Sequence, residues 1–249
     1  MKLTKEQLLA LSKCNTEFVS TMKLSEKVAN CERIGTGNFS MCYKSGNIAI
    51  KKYFGNPYLQ SSDTGDIIFS FFDVVNNLIE LSNLNNGFPK KIYIDNDELI
   101  AYEMPFASGY LLGMFSYLSS NKDTQDISLD TLNSIWNKAY DYAKYYASKG
   151  FVMYDFHENN CAISGDKLTI FDVDFFHKEP LNKNVLSDNY RIVNTCFENF
   201  LEMYFFEKCY EVSSPGICSV SFKDDVIADL LSRSSGDCKS LLEILNKIK

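Results

Sequence analysis

The stretch Asp155-Phe156-His157-Glu158-Asn159-Asn160, followed by Asp172-Val173-Asp174, sets a carboxylate, an amide and two further carboxylates close together in the chain. Carboxylate and amide oxygens are hard ligands that suit Mg²⁺, and a carboxylate beside a hydroxyl can take its proton. Transfer of a phosphoryl group to a hydroxyl needs those parts, because it asks the protein mainly to position reactants and neutralise charge. Upstream, Gly35-Thr36-Gly37-Asn38-Phe39-Ser40 precedes Lys51. Glycines let a backbone approach phosphates closely, and a lysine on an adjacent strand reaches the α- and β-phosphates. A Gly-x-Gly turn alone is equally an ordinary hairpin, so the weight lies in the combination. Glu80 can pair with Lys51 and hold it extended, with Asp73 as the alternative partner and a plain exposed helix glutamate as the ordinary reading.

These residues need elements to hold them. The segment 32–53 reads as a strand meander, with a strand ending at Ile34, a Gly-rich turn, Met41–Tyr43, a Gly46-Asn47 turn and Ile48-Ala49-Ile50 leading to Lys51. Thr4 and Gln7 form a capping-box pattern, and Leu8, Leu9, Leu11 and Phe18 predict a helix to about residue 20. A second helix is expected over 66–84, carrying Glu80, then a hairpin of 91–95 and 99–103 around Asn96-Asp97. Beyond Pro105 the pattern turns mainly helical. Leu132, Ile135, Trp136, Ala139, Tyr142, Ala143 and Tyr146 mark a helix over 129–148, with Trp136 read as core. Short strands at 151–154 and 168–171 bracket the polar loop, and 188–210 and 223–248 read as further helices. The fold class is α+β, with a β-rich first half holding one main helix and a mainly helical second half.

Composition bounds the partners. A chain of 249 residues that is 45% hydrophobic and 23% charged can bury a sizeable core. A net charge of -7 argues against broad binding of nucleic acid, though one nucleotide can be held by a Gly-rich backbone, a lysine and metal ions. Eight cysteines without a C-x-x-C pair, beside two histidines, favour reduced thiols over a zinc site or a disulfide framework. The charged start lacks the apolar core of a signal peptide, and no run is long enough to span a bilayer. The expectation is a cytoplasmic protein with no membrane partner, or one exported by a signal without a hydrophobic core.

In this order the motifs resemble the protein-kinase-like superfamily. Residues 35–40 resemble its Gly-rich loop, Ala49-Ile50-Lys51 its lysine strand, and Glu80 its helix glutamate. Tyr102-Glu103-Met104-Pro105 looks like the hinge whose backbone holds adenine, Asp155 and Asn160 match its catalytic loop, and Asp172 its metal-binding Asp. The resemblance implies a two-lobed fold with a helical extension over 1–30, an N-lobe over 31–104 and an abbreviated C-lobe over 105–249. It implies ATP with Mg²⁺, or Mn²⁺ in its stead. Asp155 is then the catalytic base, Asn160 and Asp172 hold metal, and Lys51, aligned by Glu80, grips phosphate. Met153-Tyr154-Asp155 departs from H-R-D and Asp172-Val173-Asp174 from D-F-G, and A-P-E is missing. With Asp155-x-His157-x-x-Asn160 and the second acid Asp174, these departures are closer to aminoglycoside and choline phosphotransferases and to short bacterial effector kinases. His157 is then expected to bond backbone in the catalytic loop. Asp188 either braces that loop from the following helix or caps the helix. The short interval from Asp172 to Asp188 leaves no room for a full activation segment, so activity is constitutive or set by an activating protein partner. The acceptor is a protein hydroxyl or a small hydroxylated molecule. A binding module of the same fold without the reaction, and transfer of the nucleotidyl group, are the other readings.

Overall fold

The computed structural model describes residues 2–60, 64–84, 88–112, 129–165, 167–180 and 184–212. The chain divides into two compact units, Met1–Ala107 with Asp174–Lys178, and Ser108–Val173 with Glu179–Lys249. The architecture is mixed α+β, with a mainly β first unit.

The first unit opens with α1 (Lys5–Leu11), β1 (Thr16–Phe18) and α2 (Thr21–Ala29), then β2 (Glu32–Thr36), β3 (Ser40–Ser45) and β4 (Ile48–Tyr53). After the small hairpin β5 (Leu59–Gln60) and β6 (Ile67–Phe69) come α3 (Phe71–Ser82), β7 (Lys91–Asp95) and β8 (Glu98–Pro105). Six strands form one sheet in the order β1-β7-β8-β4-β3-β2. The Thr4–Gln7 capping box forms as expected, each side chain meeting the other's backbone N–H at 3.1 Å. The helix it starts ends at Leu11 rather than near residue 20, and 16–18 instead pair in parallel with β7. Phe18 is 62% exposed, so it adds nothing to a buried helical stripe. Likewise the expected helix over 66–84 begins only at Phe71. Asp73 accepts from the backbone N–H of Ser70 at 2.6 Å and from its hydroxyl at 2.8 Å, and the residues before that cap form β6.

The β7–β8 turn is the expected Asn96-Asp97, both residues at positive φ (49° and 65°), which suits a right-twisted hairpin. Strand alternation then sorts β4 into two faces. Ile50 packs with Leu24 and Val28 of α2, Tyr93 and Ala101, while Lys51 points to the opposite face in register with Tyr102.

The second unit contains β9 (Tyr110–Leu111), α4 (Leu129–Ser148), β10 (Phe151–Met153), β11 (Cys161–Ser164), β12 (Lys167–Ile170) and α5 (Val185–Val212). The remaining strand, β13 (Phe176–Lys178), falls in the first unit. Strand β11 lies between β12 and β9. At Gly109, with φ 112°, a Cβ would fall 2.0 Å from the Ile163 carbonyl oxygen, so only glycine admits this approach of the chain to β11. Ile135, Trp136, Ala139 and Ala143 of α4 and Val193, Cys196, Phe197 and Phe200 of α5 are buried. The Trp136 and Phe197 rings lie 3.9 Å apart, which puts Trp136 in the core as read. The expected helix over 223–248 lies outside the described residues. Among the described residues no helix is long and apolar enough to cross a membrane, and Cys14, Cys31, Cys42, Cys161 and Cys196 are not joined in disulfides.

Candidate functional site

In the first unit the Gly-rich segment closes as a tight turn, with the Gly37 N–H donating to the Ser40 carbonyl at 2.9 Å. Thr36 takes a bond from Arg33 Nε at 3.0 Å, Asn38 is exposed, and Phe39 stacks on Tyr58 with centroids 4.7 Å apart. Neither Gly35 nor Gly37 has positive φ, and a Cβ on either would meet only ordinary contacts, Cys42 at 3.9 Å and Ser40 Oγ at 3.6 Å. The described chain therefore gives no steric reason for glycine at these positions. Bare backbone there is what close approach of a phosphate requires.

Lys51 is buried, and its Nζ lies 2.9 Å from Asp174 Oδ2. The Asp174 carboxylate also accepts from the hydroxyls of Tyr53 and Tyr102, and its carbonyl accepts from Asn77 Nδ2 of α3 at 2.9 Å. The expected pairing of Lys51 with Glu80 is not formed. Glu80 of α3 bonds Lys178 at 2.6 Å instead, while Asp73, the alternative, is spent on the Ser70 cap.

The expected hinge is also partly spent on the fold. The Glu103 carbonyl accepts from the Lys90 N–H at 2.7 Å, one of the two bonds a carbonyl oxygen can take. Its side chain bonds Lys27 of α2 at 2.9 Å and the Tyr93 hydroxyl. Burial alone would raise the Glu103 carboxyl, but the bonds from Tyr93 and Lys27 outweigh it and hold the carboxyl below its ordinary value. Burial likewise pulls on the Lys27 ammonium, and the bonds to Tyr93 and Glu103 win, moving it up. Tyr93 is pushed up to about 12, first by burial and then by Glu103. Met104 and Pro105 stand in β8 opposite Ala49 and Ile48.

In the second unit the loop after β10 brings Asp155 and Asn160 together. Asn160 Nδ2 donates to the Asp155 carbonyl at 2.9 Å and to its carboxylate at 3.3 Å. Asp155 holds φ at 62°, an uncommon conformation for a residue with a side chain and one that occurs at functional turns. Asp172 shares it, with φ 61°, and the N–H of Phe171 just before it donates to the Asn160 carbonyl at 3.0 Å. His157 caps the 3₁₀ turn 158–160, its Nδ1 accepting from Asn159 N–H at 3.2 Å, which is the backbone role expected of it. Its Nε2 lies 3.8 Å from Asp155 Oδ1. Among the described residues no three His, Cys, Asp or Glu side chains cluster as a metal cage. The pair Asn160 and Asp172 can still serve as oxygen ligands. The Asn160 amide nitrogen is turned to Asp155, so among the described residues its Oδ1 carries no hydrogen bond.

Asp188 neither braces the loop nor caps the helix. It sits half-buried in the first turn of α5, 3.9 Å from Arg191, and Asn184 provides the cap by accepting from Ser187 N–H at 3.4 Å. The brace is its neighbour Asn189, fully buried, whose Oδ1 accepts from Met153 N–H at 2.8 Å. Its Nδ2 donates to the carbonyls of Phe151 at 2.9 Å and Ala143 at 3.1 Å. The signal for Asn189 was present: it falls on the apolar stripe Val185, Val193, Phe197, where a polar residue needs buried partners. No family model matches this chain, and no curated protein matches it.

Proposed function

We propose that this chain is an atypical ATP- and Mg²⁺-dependent phosphotransferase of the protein-kinase-like superfamily, with a two-lobed arrangement, acting on a hydroxyl group, foremost a protein Ser or Thr. The observation that carries the reading is the joined pair Asp155 and Asn160, tied through the Asn160 carbonyl to the segment entering Asp172. One short loop thus supplies a carboxylate beside an amide oxygen open to a cation. The buried Lys51 and the bare glycine backbone of residues 35–37 supply the phosphate-gripping part.

The roles follow from the chemistry. Asp155 accepts the proton of the attacking hydroxyl as its oxygen bonds the γ-phosphorus and the bond from that phosphorus to the β-phosphate bridge oxygen breaks, releasing ADP. Asn160 Oδ1 and the Asp172 carboxylate would hold Mg²⁺, which supplies neutralisation of phosphate charge. Lys51 contributes fixed positive charge to the non-transferred phosphates.

The test is ADP release with Mg²⁺ by the wild type and by Asp172→Ala. The expected result is metal-dependent turnover that is lost in a variant whose unfolding midpoint is unchanged. Normal turnover by Asp172→Ala would remove Asp172 from the metal site.

A further inference from the structure

The buried acid at the centre of the first unit has no role in the reading above. We propose that Asp174, clamped by Tyr53 and Tyr102, is the residue that positions Lys51, a task the sequence pattern assigns to Glu80 on α3. The inference rests on the proposed phosphotransferase reading for its functional meaning, but the pairing itself is geometric.

Three features carry it. First, β4 alternation sends Lys51 and Tyr53 to one face, and register with β8 adds Tyr102 to it, so three side chains meet one carboxylate because of strand geometry. Second, Asp174 is fully buried and its two oxygens divide their partners: Oδ2 takes Lys51 and Tyr53, and Oδ1 takes Tyr102. A carboxylate anchored at both oxygens cannot swing, so the lysine it holds is fixed as well. A free lysine side chain would lose rotamer entropy on being fixed at the moment of binding, and pre-fixing removes that loss. An ammonium has three N–H donors, so a bond to Asp174 sets its place while leaving the group able to serve more than one acceptor. Third, α3 takes part through Asn77, whose Nδ2 donates to the Asp174 carbonyl at 2.9 Å and whose Oδ1 accepts from His177 Nδ1 at 3.2 Å. Glu80, one turn further along that helix, is 41% exposed in its side chain and bonded to Lys178 instead of Lys51.

The consequence is a change in which segment controls the lysine. Asp174 follows Asp172 by two positions, so one short segment carries both the acid read as a metal ligand and the acid that aligns the lysine. Displacement of that segment would disable both, whereas loss of the Glu80 carboxylate would disable neither.

The experiment reads Lys51 directly. The full chain, without nucleotide, is treated with acetic anhydride and the acetylation rate at each lysine is followed by mass spectrometry, with exposed Lys149 as the internal reference. Asp174→Asn should raise the Lys51 rate relative to Lys149 at least about tenfold, while Glu80→Gln leaves it unchanged, because only the first removes the buried partner charge. Tyr102→Phe keeps the ring in the core and removes one anchor, so a rise of about threefold is expected even if Asp174→Asn does not fold. In steady-state assays Asp174→Asn should lower kcat/KM for MgATP by about 10²-fold, and Asp174→Glu should restore part of it. Glu80→Gln, which the structure takes out of the Lys51 set, should stay within about twofold. Exposure of Lys51 by Glu80→Gln, unchanged labelling in both Asp174→Asn and Tyr102→Phe, or faster turnover in Asp174→Asn would overturn the proposal. Absence of any turnover in the wild type would refute the phosphotransferase reading, and the labelling would still decide the pairing.

Discussion

Replacing Asn189 by Ala removes one small side chain from α5 and takes a hydrogen bond from three backbone groups: the Met153 N–H, the Phe151 carbonyl and the Ala143 carbonyl, the last of which keeps its helix bond within α4. The residue is fully buried, so water does not readily replace it. Each buried polar group left unpaired costs about 1–3 kcal/mol, and two such groups, Met153 N–H and the Phe151 carbonyl, set the scale, with a smaller loss at Ala143. A loss of about 3–5 kcal/mol follows, against the roughly 5–15 kcal/mol that holds a typical domain together. In a chain of this size that lowers the thermal midpoint by roughly 10 °C. The assay is urea and thermal unfolding beside Asp188→Asn, whose parent residue makes only an exposed 3.9 Å contact to Arg191 and should matter by less than about 0.5 kcal/mol. Asn189→Asp should also destabilise, because it keeps the acceptor for Met153 but loses both donors and buries a charge. Equal stabilities of Asn189→Ala and Asp188→Asn would refute the assignment of the brace, and a larger loss in Asp188→Asn would return the role to the residue the motif favours.

Gly37→Ala should fold with unchanged stability or gain up to about 1 kcal/mol, since φ is ordinary and the added Cβ meets nothing closer than Ser40 Oγ at 3.6 Å. Its affinity for MgATP, measured by calorimetry, should nevertheless fall, because the methyl occupies the approach to the backbone; undiminished affinity would make the loop an ordinary hairpin turn. Glu103→Gln should lose about 1–3 kcal/mol at neutral pH, the ordinary worth of hydrogen bonds to an ionised group. The folded Glu103 carboxyl lies below its ordinary value, so its stabilisation is present above about pH 4.3 and disappears as pH falls through the folded value. Unfolding curves of wild type and Glu103→Gln should therefore converge in acid, and a constant difference down to low pH would place the effect in packing rather than charge.

Local signals explain which parts could be read from the chain. The Thr4–Gln7 box, the Asn96-Asp97 turn and the stripe of α4 each depend on residues within a few positions of one another, and each formed as read. The junction of β6 with α3 was misread because Ile67, Ile68 and Phe69 extend an apolar run that helix and strand patterns share, and the Ser70–Asp73 cap decides where the helix starts. The partner of Lys51 was not legible. Glu80 and Asp174 are both acids at plausible places, and the choice depends on how the 174–178 segment lies against α3 and on the register of β4 with β8, both tertiary facts. Asn189 was legible in principle from its position on an apolar stripe, but the neighbouring aspartate drew the motif to itself.

Phosphoryl transfer itself is tested by incubating the purified chain with Mg²⁺ and ATP labelled in separate reactions at the γ- or the α-phosphate, with the chain itself and a Ser/Thr peptide library as acceptors. The expected result is that γ-label, and no α-label, becomes covalently attached to acceptor hydroxyls, and that Asp155→Asn lowers the rate about 10²- to 10⁴-fold, the usual contribution of a positioned base. Attachment of α-label would make the reaction nucleotidyl transfer, and binding of ATP with no transfer of either label would make the chain a nucleotide-binding module rather than an enzyme.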